Sequence, residues 1–163
     1  MPSAAPRIAA LLVGLVAIAG CTPDVLPTAS GSPSCAPRLP TTTVTLDGAT
    51  ETTLTAEIAD AADDRERGLA GRATLPSGCA MLFRYPTPVR NAFWMRGMAF
   101  PIDIAFADGD GRIVEVVTLD RCTADPCPTH VPVAPYRFAL EVGAGTLAAL
   151  GIGVGDRLVV SPP

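Results

Sequence analysis

The 163-residue chain contains no lysine, one histidine and one tryptophan. Without lysine there is no Schiff-base chemistry and no phosphate-cradling P-loop lysine. A single histidine leaves no second imidazole for zinc, and the Cys122-x4-Cys127 spacing has no companion pair of Cys or His. His130 lies in a proline-rich loop, CPTHVPVAP, where an exposed bystander is the ordinary outcome. Positive charge is scarce: 12 arginines face 16 acidic residues, for a net charge of −4. That balance argues against nucleic-acid binding and against a polybasic grip on anionic lipid. The apolar run Ile8 to Ala19 is twelve residues long, against the roughly 20 needed to span a bilayer. No Gly-x-Ser-x-Gly elbow surrounds Ser77. The Asp108-Gly109-Asp110-Gly111 segment fails as an EF-hand loop, because Phe106 and Val117 would fall at ligand positions. Gly151-x-Gly153-x-Gly155 leads into a strand rather than a helix, unlike a phosphate loop. The expectation is therefore no metal and no cofactor.

What is present begins with Ile18-Ala19-Gly20-Cys21. Arg7 precedes the short apolar run, and small residues precede the cysteine, which is the pattern of a secretory signal. The four residues resemble the bacterial lipobox, in which the cysteine thiol receives a diacylglycerol and becomes the mature N-terminus. Two or three acyl chains, at about 0.8 kcal/mol per buried methylene, hold such a protein on a membrane. Cys21 is therefore the expected lipidation site, residues 1–20 the signal peptide, and the bilayer the first partner. The mature chain of 143 residues is enough for one domain. Residues 21–42 are dense in Pro, Ser, Thr and Gly and read as a tether, leaving residues 43–163 as the folded domain.

With Cys21 set aside, Cys35, Cys79, Cys122 and Cys127 remain, an even number in an exported chain. Three pairings are possible. A turn across Thr123-Ala124-Asp125-Pro126 would bring Cys122 and Cys127 within disulfide reach. Cys35 would then pair with Cys79, closing a loop whose entropy alone is worth roughly 4 kcal/mol.

Periodicity predicts strands at 44–46, 52–59, 79–83, 91–95, 100–106, 112–119, 138–142 and 157–160, the first of them ending at Asp47-Gly48. Asp60 is placed to cap a helix over 61–70, with Asp63 and Asp64 in its first turn and Gly71 as its stop. A second short helix is expected at 145–150. Asp108 to Gly111 predicts the clearest hairpin. No βαβ alternation is apparent, so the expected fold is mainly β with one or two short helices (α+β), a compact, mixed, mostly antiparallel barrel or sandwich.

Several motifs then occur in order: Glu66-Arg67-Gly68-Leu69, Met81-Leu82-Phe83, Phe93-Trp94-Met95, Pro101-Ile102-Asp103-Ile104-Ala105-Phe106, YRFALEVGAG over 136–145, and Gly151 to Asp156. Together they resemble the domain-of-unknown-function 192 family of small bacterial and archaeal proteins, from about Thr52 to Val160. The resemblance implies a compact β-rich fold, often exported, with no established biochemical activity. Ala70, Cys79 and Arg96-Gly97-Met98 depart from that family's usual Met, Gly and Lys-Asn-Thr.

For chemistry, Trp94, Met95, Arg96 and Asp103 are the candidate ligand-binding residues. If Ile102, Ile104 and Phe106 face the core, alternation turns Asp103 and Ala105 to the other face. Trp94 could then flank an Asp103/Arg96 pair, suited to a sugar or a peptide end. The plainer reading, which the small number of aromatics favours, has Trp94 plugging the core and Asp103 holding a loop or pairing with Arg96. The functional expectation is a membrane-anchored envelope lipoprotein, monomeric, acting as a non-catalytic binding or accessory module for an envelope glycan or protein. Two alternatives stand beside it. One is an envelope hydrolase using Asp103 and Glu141 as a carboxylate pair. The other is a structural assembly factor, which would show an exposed apolar patch.

Overall fold

Apolar residues alternate in some segments of this chain and run continuously in others, and seven of the resulting strands join into one sheet that is covered on both faces at its centre. In the computed structural model, which describes Met1 and residues 34–162, residues 31–163 form a unit separate from residues 1–30. Its strands are β1 (Thr41–Asp47), β2 (Glu51–Ala59), β3 (Cys79–Val89), β4 (Phe93–Trp94), β5 (Ile102–Ala107), β6 (Ile113–Leu119), β7 (Thr129–His130), β8 (Tyr136–Gly143) and β9 (Arg157–Val160). Two short helices, α1 (Ala62–Arg67) and α2 (Thr146–Ala149), complete the elements. Seven strands run in the order β6-β5-β8-β3-β2-β1-β9, and β4 pairs with β7 in a separate two-stranded ribbon. The fold is thus mainly β with two short helices, as expected from the sequence. Cys21 and the signal segment lie outside the described residues. Among the described residues, no helix is long and apolar enough to cross a membrane.

One pairing departs from the expectation. β2 and β3 are parallel, joined through α1, so the chain contains a single β-α-β crossover. The helix between these strands was expected; what the residues did not state is that the strands on either side of it pair directly and in parallel. The helix is also shorter than its predicted 61–70 span. Ala61 stands at its N-cap without a side-chain cap bond, while the Asp60 carboxylate is taken by Arg84 instead. The chain leaves the helix at Gly68, with φ at +48°, rather than at Gly71. β3 in turn runs through Pro86 and Pro88 to Val89, slipping register against β8 between Arg84 and Val89.

The sheet curls until its two ends nearly meet. Val44, Leu46 and Leu158 from one end share a buried cluster with Ala105, Ala107 and Ile113 from the other, capped by Leu147 of α2 and by Ile152. The edges touch at an antiparallel bridge between Arg112 and Arg157, with Leu158 N–H donating to Gly111 O at 2.7 Å and Ile113 N–H to Asp156 O at 2.8 Å. Closure is incomplete, so the architecture is sandwich-like rather than a barrel. On the outer face lies a second buried cluster containing Met81, Phe83, Phe93, Ile104, Phe106 and Tyr136. Ring pairs at 4.9 to 6.1 Å link Phe83, Phe93, Phe106, Tyr85 and Tyr136 into one aromatic network.

Two fastenings hold the entering segment. Cys35 bonds Cys79 at the start of β3, and Cys122 bonds Cys127, the pairing expected from spacing. Glu57, buried on β2, accepts the amides of Arg38 and Leu39 at 2.7 and 3.1 Å and pairs with Arg72 at 2.7 Å. Burial alone would push the Glu57 carboxyl up. The Arg72 guanidinium and the two amides outweigh that and hold it below its ordinary value.

Gly111 occupies the tightest point of the closure, with φ at +81° and a Cβ position 2.2 Å from the Leu158 carbonyl oxygen. Both the backbone and the space forbid a side chain there. Gly111→Ala is expected to lose at least about 2 kcal/mol in urea unfolding. A midpoint matching the parent protein's would show that the two edges do not close as described.

Candidate functional site

A cleft of about 300 Å³ opens on the outer face of the sheet. One wall is the end of α1 and the turn after it, carrying Arg65, Glu66, Arg67, Gly68, Leu69 and Ala70. The other is the 91–98 segment around β4, with Trp94, Met95 and Arg96. The Gly71 N–H donates to Gly97 O at 3.0 Å and ties the two walls together. The floor includes Phe83, Tyr85, Ile102 and Glu141.

Trp94 is 48% exposed. It does not plug the core. Its place in the core is taken by Phe93, the neighbouring residue on the opposite side of β4, which stacks edge-on with Phe83 and Phe106. The β4–β7 pairing sets Trp94 opposite Thr129 and Phe93 opposite His130. The Arg96 guanidinium lies 5.3 Å from the Trp94 ring centroid and reaches Asp125 at 3.4 Å, not Asp103. His130 is held on the far side of this ribbon. Its Nε2 and Glu115 Oε1 are 2.7 Å apart, and its ring stacks on Phe106.

The sequence grouped Asp103 with Trp94, Met95 and Arg96, and the structure brings together only the last three. Alternation along β5 turns Asp103 away from Ile102, Ile104 and Phe106, as expected, but that other face is also core. Asp103 is 2% exposed there. Thr118 Oγ1 donates to its Oδ1 at 2.7 Å, and the Leu147 N–H donates to its Oδ2 at 3.1 Å. Asp103 thus satisfies an orphan amide in the first turn of α2 from a neighbouring strand. Its role is to hold that helix over the open end of the curl, which matches the plainer sequence reading for this residue.

Glu141 has the opposite circumstances. It lies on β8 opposite Met81 and Ile104, within an apolar neighbourhood, and is 6% exposed. Its Oε2 is buried and has no hydrogen-bond partner. Desolvation pushes the carboxyl from 4.5 up to about 8, so at neutral pH it is an uncharged acid. A buried, unpartnered titratable group at the base of a cleft makes that cleft the candidate site. Asp103 and Glu141 do not form a pair in one cleft, because they project from adjacent strands to opposite faces. The carboxylate that shares the cleft with Glu141 is Glu66.

A second hollow of about 420 Å³ lies against the Cys122–Cys127 loop and is lined by Met95, Thr118, Pro128 and His130 among others. Unlike the first, it has no buried unpartnered side chain. Among the described residues, no group of three or more His, Cys, Asp or Glu is placed to hold a metal ion.

The model of the uncharacterised ACR family DUF192 matches residues 42–160 of the chain. A solved structure from Sinorhizobium meliloti 1021, described as a candidate transcription regulator, is similar at 28% identity and a TM-score of 0.69, covering 75% of this chain and 95% of that one. A protein of unknown function from Novosphingobium aromaticivorans DSM 12444 is similar at 27% identity and a TM-score of 0.68, covering 74% of this chain and 86% of that one. No curated protein matches the chain.

The raised Glu141 carboxyl has a consequence for stability. The unfolded chain releases this proton near 4.5 and the folded chain near 8, so folding retains the proton and stability falls as pH rises between those values. At pH 8 the penalty approaches roughly 4 kcal/mol before relaxation. Glu141→Gln is therefore expected to be the more stable protein at pH 8, and the advantage should close toward pH 4.5. Urea midpoints measured across that range check this; a constant difference would mean that Glu141 is ionised in the folded protein.

Proposed function

The chain belongs to the DUF192 family, which brings no assigned activity with it, and from the cleft we propose that the domain is a non-catalytic binding module of the cell envelope. In this reading the mature protein is anchored to the membrane through acylated Cys21 and presents the Trp94 cleft to a small polar ligand. The unpartnered Glu141 carboxyl at the base of the cleft carries the proposal, because a free polar atom in an apolar floor is matched only by a polar group that enters the cleft. The exposed Trp94 ring beside Arg96 adds an amphipathic wall of the kind that small-molecule sites use. The two disulfides fit an oxidising compartment. The regulator description of the Sinorhizobium relative is not carried over, since a net charge of −4 works against binding along a phosphate backbone.

A second reading rests on Glu66, which shares the cleft with Glu141 and gives a hydrolase its second carboxylate. Turnover of a chromogenic glycoside, abolished by both Glu66→Gln and Glu141→Gln, would put that reading first.

Two measurements test the binding proposal. Trp94 is the only tryptophan, so its fluorescence reports occupancy of the cleft without a label. Envelope glycan fragments and short peptides titrated into the detergent-solubilised protein are expected to include at least one that shifts Trp94 emission saturably, with calorimetric binding lost in Trp94→Ala. A complete absence of binders overturns the reading. For the anchor, the intact mass of protein extracted from membranes is expected to begin at Cys21 with acyl chains attached, and Cys21→Ser should move to the soluble fraction. An unmodified Cys21 on the native protein overturns the anchoring.

A further inference from the structure

Three features of the cleft narrow the chemistry of what it would hold. Cations dominate the walls: Arg65, Arg67 and Arg96 line it, against Glu66 alone among charged carboxylates. This is a local inversion in a chain of net charge −4. Two of the three arginines are only weakly engaged, and the third has no carboxylate partner. Arg65 is spent on the backbone carbonyls of Asp60 and Arg84 and on the Tyr85 ring, with no carboxylate partner. Arg67 meets Asp64 and Arg96 meets Asp125, each at 3.3 to 3.4 Å. Those pairs are open to solvent, and such pairs contribute little, so an incoming anion can replace them. Trp94 supplies a half-exposed ring as a flat apolar platform. Glu141 supplies a buried hydroxyl-bearing acid whose proton has no acceptor within the protein.

Resting on the binding reading above, we propose that the cleft takes an acidic saccharide: the sugar ring lies against Trp94, its carboxylate sits among Arg96, Arg67 and Arg65, and a hydroxyl oxygen accepts a hydrogen bond from Glu141. Each part of such a ligand meets the group that suits it. A carboxylate takes a guanidinium through charge-assisted, bidentate bonds. The C–H face of a sugar ring is apolar enough to lie on an indole. A sugar hydroxyl accepts from a protonated carboxyl in the dry floor, where an unmet donor is expensive. A cationic amino sugar fits poorly, because three arginines face it while Glu141 is neutral. A neutral sugar leaves the arginines without a partner.

Protonation of Glu141 makes the site sensitive to alkali. The charged and titratable groups around it in the cleft are Arg65, Glu66 and Arg67 from α1, Tyr85 from β3, and Arg96 beyond β4. Met81 and Ile104 on the flanking strands are apolar. Above pH 8 the ionised Glu141 can no longer donate and repels the ligand's own carboxylate.

The test uses the full-length protein in detergent, titrated with D-glucuronate, D-glucose and D-glucosamine and followed by Trp94 fluorescence and calorimetry. At pH 6.5 glucuronate is expected to bind about tenfold more tightly than glucose, and glucosamine more weakly than either. Arg96→Gln should weaken glucuronate more than glucose and so narrow the preference between them. Glu141→Gln, which keeps a donor, should bind glucuronate at pH 6.5 but lose the weakening that the parent protein shows above pH 8. Glucosamine binding as tightly as glucuronate overturns the acidic-saccharide assignment. So does binding of glucuronate that is indifferent to Arg96→Gln, or unchanged alkaline weakening in Glu141→Gln. If all three sugars fail while an envelope peptide still shifts Trp94, the assignment falls and the binding reading stands. If nothing shifts Trp94, both fall.

Discussion

Burial of the central strands on both faces is the constraint from which the rest of the structure follows. Every residue of β5 is buried, and β8 beside it is buried at Tyr136 and from Ala139 to Val142. A sheet in that position cannot alternate polar and apolar residues, because neither face meets water. Side chains on one parity fill the inside of the curl, and those on the other build the aromatic network on the outside. Any polar group placed on these strands must then find a partner or remain unsatisfied. Two carboxyls test that rule on neighbouring strands. Asp103 faces the inside and is fully engaged by Thr118 and the start of α2. Glu141 faces the outside and leaves an oxygen with no partner. The first is bound within the fold, and the second is left open toward the cleft.

Much of this arrangement was legible in the residues. The period-two segments placed the main strands, Asp108 to Gly111 announced the β5–β6 turn, and cysteine spacing gave both disulfides. Parity also placed Asp103 on the face away from Phe106. Partners are harder to read than parity. In an antiparallel pair, directly opposed residues share a face, and here Asp103 lies opposite Val142 while Ile104 lies opposite Glu141. A shift of one residue would have put the two carboxyls side by side. Nothing local in either strand states that register, so their separation had to come from the structure. Trp94 was hidden for a related reason. A two-residue strand carries no periodicity, and with Phe93 and Trp94 adjacent, the sequence cannot tell which ring goes inward.

The same constraint accounts for how the cleft is built. Its floor belongs to strands locked on both sides, whereas its walls come from short segments, a six-residue helix with no buried residue and the turn around a two-residue strand, each fastened to the core by a few side chains such as Leu69, Phe93 and Met95. Rigid floor and adaptable walls are the usual division of labour in a binding site, since a scaffold positions and its loops contact. The walls are nevertheless held to one another through Gly71 and Gly97. Behind the β4 wall, the Cys122–Cys127 loop supplies Asp125 to Arg96. On the inner side, Cys35–Cys79 and the Glu57 bonds to Arg38 and Leu39 fix the entering segment to β2 and β3, the latter a strand that contributes Phe83 and Tyr85 to the floor.

Replacement of Glu141 by an apolar residue would relieve the cost of an unmatched buried carboxyl. Asp103 shows that the same sheet can satisfy such a group where its carboxylate is needed to hold a helix. The cleft does not satisfy Glu141, although hydroxyl and guanidinium groups are common elsewhere in the chain. Proteins tolerate destabilising groups at functional sites and compensate for them elsewhere. Here two disulfides and an aromatic network stabilise the same domain. An uncharged acid held in a dry floor below three arginines is a poor structural element and a serviceable hydrogen-bond donor. A donor so placed is matched only by a polar group that enters the cleft, which makes Glu141, rather than the tryptophan above it, the first residue by which the binding proposal stands or falls.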